Sequence, residues 1–108
     1  MKVIFASLVA IVNLITAGTT LAVEMPAVGK AKCGACHAID KKLIGPSFMD
    51  VSKKYKGDKE AAGKIAANIT KGGSYGWKQG NQSMPPRGLG ANDAQIKLMS
   101  EFIVGLEK

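Results

Sequence analysis

Cys33-Gly34-Ala35-Cys36-His37 holds both cysteines and the single histidine of the 108-residue chain, and the reading of this pentapeptide decides what the rest of the sequence is folded around. At this spacing two thiols can add across the two vinyl groups of a haem while the next residue presents an imidazole to the iron, so the stretch reads as a site of covalent c-type haem attachment. The three side chains fall within about one and a half helical turns of one another. A strained disulfide or a thioredoxin-like redox pair is the other use of two cysteines so spaced. That use belongs to a βαβ context, which the flanking sequence lacks. A structural zinc site, an iron–sulfur cage or a multi-disulfide scaffold needs more Cys or His than the chain has.

Upstream of the pentapeptide, Met1 to Ala22 has a positive start at Lys2, an apolar run from Val3 to about Ala17 broken by Asn13, and small residues around Thr20-Leu21-Ala22. This is the layout of a secretory signal peptide, cleaved near Ala22. The apolar run is shorter than the roughly 20 residues that cross a bilayer, and no second span follows, so stable membrane insertion is not expected. The expected mature chain, residues 23–108, holds one small domain. The whole chain carries 15 Lys plus Arg against 8 Asp plus Glu; losing Lys2 and no acid leaves 14 against 8, a net charge of +6. Aromatic residues are 6% of the sequence, so the core must come from aliphatic residues and Met, in a domain size that buries a low fraction of its surface. Some further source of cohesion is needed.

Downstream and around the motif, punctuation and periodicity predict helices. Pro26 suits the first turn of a helix running into Cys33. Gly45-Pro46 marks a loop. A short helix is predicted from Ser47 to Lys56, stopped by Gly57. Asp58 is the expected N-cap of a third helix, whose residues Ala61, Ala62, Ile65, Ala66 and Ile69 recur on one face and which ends at Gly72-Gly73. Asn92 with Gln95 three residues on has the form of a capping box. Ile96, Met99, Phe102, Ile103 and Leu106 then form the apolar stripe of a closing helix. Between these two helices, Gly72 to Ala91 is rich in Gly and Pro and lacks periodicity, and a loop of that length is usually functional. No stretch alternates long enough to predict a strand. The fold class is all-α, with three to five short helices.

Taken together, Cys33-Gly34-Ala35-Cys36-His37 followed by Ala38-Ile39-Asp40, then Gly45-Pro46, Asp50-Val51, the helix ending near Gly72, Trp77, Met84-Pro85-Pro86 and a final helix with Phe102-Ile103 resemble the short, soluble class I cytochromes c of bacteria. The resemblance implies a class I cytochrome c fold wrapped around one covalent haem c, and an electron carrier rather than an enzyme.

A second axial ligand decides what the iron does: His and Met on its two faces close it, favour the low-spin state and raise its potential. Met99 lies on the apolar stripe of the last helix, Met25 near the mature N-terminus and Met49 in a short helix. Met84 sits in the long loop before two stiffening prolines, and by the resemblance it is the second ligand beside His37, the alternative being a surface loop Met. An open axial position would instead give a ligand-binding or peroxidase-like haem protein. Three features depart from the family pattern: a longer insert between Trp77 and Met84, Ser83 in place of a frequent proline, and Arg87 in place of a common asparagine. The resemblance further implies that the Pro46 carbonyl accepts from His37 Nδ1, and that Trp77 packs at the haem edge with its indole N–H aimed at a propionate. Ile44, Ile65, Ile69, Leu89 and Phe102 are the expected walls of the haem pocket. The basic charge favours acidic docking faces on redox partners, with Lys30, Lys32, Lys41 and Lys42 as the rim. A periplasmic monomer is expected, and export without a recognition motif argues against nucleic acid.

Overall fold

The computed structural model describes residues 23–77 and 83–107; the expected signal peptide, its cleavage point and the insert at 78–82 lie outside the described residues. Regular structure among the described residues consists of α1 (Ala27–Lys32), α2 (Phe48–Lys54), α3 (Ala61–Lys71) and α4 (Asp93–Gly105), so the all-α expectation holds.

Each helix begins and ends for a local reason. Pro26 stands just outside α1 as its N-cap, and Cys33 closes it by donating its backbone N–H to Gly29 O. Ser47 caps α2, its side-chain oxygen accepting from Asp50 N at 3.1 Å, and the helix ends at Lys54, two residues short of the sequence reading, with Tyr55 as its C-cap. Asp58 does not cap α3. Its carboxylate accepts from Glu60 N at 2.9 Å and pairs with Lys64 at 2.6 Å, which shapes the turn before the helix, and α3 starts only at Ala61. Asn92 and Gln95 form the predicted capping box, each side chain accepting from the other's backbone N–H at 2.9 Å. Two orphan donors at the start of α4 are thereby satisfied.

The helices α1, α2 and α3 all pack against α4. Phe48 of α2, Ile65 of α3 and Met99 and Ile103 of α4 are the buried centre of the apolar cluster. Polar groups drawn into this packing are matched: Ser100 Oγ donates to Ile96 O at 2.8 Å, and Ser52 Oγ accepts from Glu107 N at 3.1 Å, tying the end of α4 to α2. Because α4 is the common partner of the other three, fraying at its start is felt throughout the fold. Asn92→Ala is expected to lower unfolding stability by about 1 kcal/mol, measured by chemical denaturation, with secondary structure retained.

Candidate functional site

The first half of the site is built by backbone bonds that fold the segment after the motif back onto it. Cys36 N and His37 N both donate to Cys33 O, at 3.1 and 3.0 Å, so the motif continues the turn of α1 beyond its last helical residue. Gly45 N then donates to Cys36 O at 2.6 Å, Phe48 N to Ala38 O at 2.9 Å and Met49 N to Ile39 O at 2.9 Å. This doubling back sets the buried Pro46 beside the histidine, and His37 Nδ1 lies 2.8 Å from its carbonyl oxygen. The Phe48 ring stacks on the imidazole with centroids 5.0 Å apart. A side chain at Gly45 would run into the same ring, so only glycine lets the backbone close in there.

Burial pushes the His37 pKa down from its ordinary value, with the Pro46 carbonyl acting in the opposite sense, so burial favours the neutral ring. A carbonyl only accepts, which puts the one ring proton on Nδ1 and leaves the lone pair on Nε2. Cys33 and Cys36 are both half-buried. Burial pushes the Cys33 thiol up, and the neighbouring Cys36 adds to the effect.

The second half comes from the long loop. It is not without pairing: Gly73 N donates to Met84 O at 2.9 Å and Met84 N to Gly73 O at 3.1 Å, an isolated antiparallel bridge that the sequence reading missed. The two residues are eleven apart with no periodic pattern between them, so no local signal announces the pair. Gly72 makes the approach possible, since it adopts φ 74 and a Cβ there would stand 2.6 Å from Met84 O and 2.7 Å from Pro86 N. Past the prolines, Arg87 N donates to Ile69 O at 2.8 Å and Leu89 N to Lys32 O at 3.3 Å, so the loop caps the ends of both α3 and α1. The Arg87 guanidinium turns to Asp93 at 2.8 Å and to Ala91 O at 3.3 Å, anchoring the loop to the start of α4.

Between the two halves lies a cleft of about 250 Å³ into which Cys33, Cys36, His37, Met84, Pro46 and Trp77 all face. Every site residue expected from the sequence is therefore brought to one space. Of the expected walls, Ile44, Ile65, Ile69 and Leu89 line it, and Phe102 does not. On α4 the cleft is lined by Met99 and Ile103, which are one turn apart, and residue 102 lies roughly 60 to 100° around the helix from them. Phe102 packs against the apolar cluster instead. Met25 and Met49 are not among the lining residues, and Met99, 2% exposed, has its sulfur against Gly29 at the crossing of α1 and α4. Met84 is the methionine that the cleft and the loop share. Lys54 of α2 adds a contact that the sequence reading missed, its ammonium lying 4.9 Å from the centre of the Trp77 ring and donating to Tyr75 O at 3.1 Å.

The His37 imidazole, the thioether of the loop residue Met84 and two thiols converging on an apolar space form a donor set suited to a covalently held haem. Among the described residues, no group of three or more His, Cys, Asp and Glu side chains could hold a metal ion by itself. The sequence profile of the family described as Cytochrome c matches residues 17–107. Cytochrome c-552 of Hydrogenobacter thermophilus is 42% identical over 100 residues, covering 93% of this chain and 95% of its own. Cytochrome c-551 of Azotobacter vinelandii is 43% identical over 72 residues, covering 67% of this chain and 83% of its own. The crystal structure of wild-type Nitrosomonas europaea cytochrome c552 matches with a TM-score of 0.66 at 33% identity, over 74% of this chain and 96% of that one. The chain belongs to the cytochrome c family. Its place within that family is among the small class I monohaem members, with one covalent haem c and the role of an electron carrier rather than an enzyme.

Because a Cβ at Gly72 meets both an unfavourable φ and the Met84 carbonyl, Gly72→Ala is expected to cost about 1–3 kcal/mol in unfolding stability. The control Gly63→Ala, at an open helical position, should leave stability unchanged or raise it by about 0.5–1 kcal/mol. Denaturant titration of both variants measures the difference.

Proposed function

We propose that the chain is exported, loses residues 1–22, and works in the periplasm as a monomeric electron shuttle whose haem is held by Cys33 and Cys36 and ligated by His37 and Met84. The observation that carries this reading is the convergence of these four side chains on one apolar cleft. The haem supplies a one-electron iron(III)/iron(II) couple.

The residues around it act as a fixed frame. Each thiol would add its S–H across a vinyl group, sulfur to one carbon and hydrogen to the next, tethering the group without consuming further ligands. His37 presents Nε2 because Nδ1 is held by Pro46 at 2.8 Å, and Phe48 and Gly45 keep the ring from turning. Met84 presents its thioether from a backbone pinned by both bonds to Gly73. Neither donor needs to move when charge is gained or lost, so little reorganisation accompanies transfer. Ile65, Ile69 and Ile103 exclude water and favour the ferrous, less charged state. Trp77 at the cleft is the residue assigned to a propionate.

Docking on acidic partner surfaces follows from the basic charge, which speeds encounter at low salt. Lys32 lines the cleft and Lys41 is exposed beside the motif, whereas Lys30 is paired with Glu24 at 2.6 Å and contributes less positive field. Among the described residues no helix is long and apolar enough to cross a membrane.

Substitution of the two methionines at the cleft tests the ligand assignment. Met84→Ala is expected to lose the absorption band of Met-ligated ferric haem and to bind carbon monoxide rapidly when reduced, while Met99→Ala loses stability by about 2–5 kcal/mol and keeps the band. The reverse pattern would assign the ligand to Met99.

A further inference from the structure

Tyr75 occupies a conformation that a bulky side chain rarely takes. Its φ is 50, the following Gly76 has φ 79, and Trp77 N donates to Ser74 O at 2.9 Å, so the pair forms the centre of a tight turn with positive φ at both positions. Such turns ordinarily take Asn or Gly at the first of these positions. Here the aromatic ring lies over Gly73, where a Cβ would stand 3.3 Å from Cε2 and 3.5 Å from Cζ. Gly73 is the residue whose backbone pairs twice with Met84. The ring also lines the cleft and remains 37% exposed, so it lies at the solvent edge of the cleft beside the residue that anchors Met84. Lys54 holds the turn in place through the Tyr75 carbonyl at 3.1 Å.

We propose that Tyr75 is a cover over the Met84 side of the cleft, a specificity-determining residue that holds small external ligands away from the haem. The inference rests on the reading of Met84 as the iron ligand. Two features of the turn give it a distinctive consequence. A glycine at position 75 would take the positive φ without strain, so removing the ring relieves the backbone. The same removal uncovers the bridge. Stability and exclusion of ligands therefore move in opposite directions, which a residue retained only for packing would not produce. Steric cover further means that the effect grows with the bulk of the entering ligand, whereas easier release of Met84 would speed every ligand by the same factor.

The test uses the ferric holoprotein as wild type, Tyr75→Gly and Tyr75→Phe, with stopped-flow binding of cyanide and of imidazole, the Met-ligation band and the denaturation midpoint. Tyr75→Gly is expected to keep the band, to be at least as stable as wild type, and to bind imidazole about threefold faster or more, with a smaller gain for cyanide. Tyr75→Phe should behave as wild type, since the ring and not the hydroxyl covers Gly73. Equal gains for the two ligands, or none, would overturn the cover while the band stands. Absence of the band from the wild type would overturn the ligand assignment beneath it.

Discussion

The 2.8 Å contact between His37 Nδ1 and the Pro46 carbonyl is the constraint on which the rest of the structure turns. An imidazole on a short motif after a six-residue helix has little to hold it. The chain solves this by folding residues 38–49 back along the motif through three backbone bonds, so that the Pro46 carbonyl meets the ring nitrogen. Burial favours the neutral ring, the Pro46 carbonyl holds its proton on Nδ1, and the lone pair is left on Nε2 of a ring that lines the cleft. The return of the chain also launches α2 from Ser47, which places Phe48 both on the imidazole and in the centre of the apolar cluster. One hydrogen bond thus joins the chemistry of the ligand to the packing of the fold.

The loop that carries Met84 answers the same problem by a different route. It has no helix to stand on, so it borrows the ends of two. Arg87 N and Leu89 N donate to the carbonyls that close α3 and α1, and the Gly73 bridge fixes Met84 itself. Helix C-termini have unsatisfied carbonyls, and a loop that needs anchors finds them there. Arg87, which departs from the family's common asparagine, does not line the cleft; its guanidinium is spent on Asp93 and Ala91, and its backbone on Ile69.

Much of this was legible in the sequence because the deciding signals were local. The capping box at Asn92 and Gln95 and the stop at Gly72 each rest on residues within a few positions of one another, and they appear as read, whereas Ser47, read as the first residue of α2, stands just outside it as its cap. The cleft was foreseen through Cys33, Cys36 and His37, whose spacing encodes it. What the sequence hid was long-range or angular. The Gly73 to Met84 bridge joins residues across an unpatterned loop, and the Lys54 contact to Trp77 crosses from α2 to a turn more than twenty residues away. Phe102 shares the apolar stripe of α4, but a stripe has width, and Met99 and Ile103 hold the edge that faces the cleft while Phe102 packs on the apolar cluster. Asp58 was read as a cap because the residue type allows it; its carboxylate is taken by Glu60 N and Lys64 before the helix begins.

An aromatic-poor domain built on Phe48, Ile65, Met99 and Ile103 keeps an apolar cleft at its centre, and a tethered haem is the group that completes it. The most direct test is mass spectrometry of the tryptic peptide Cys33–Lys41 from protein made in a host that exports and matures c-type cytochromes. The account predicts a peptide heavier by one haem, with both thiols consumed. A peptide with free thiols, or with a Cys33–Cys36 disulfide and no haem, would contradict it.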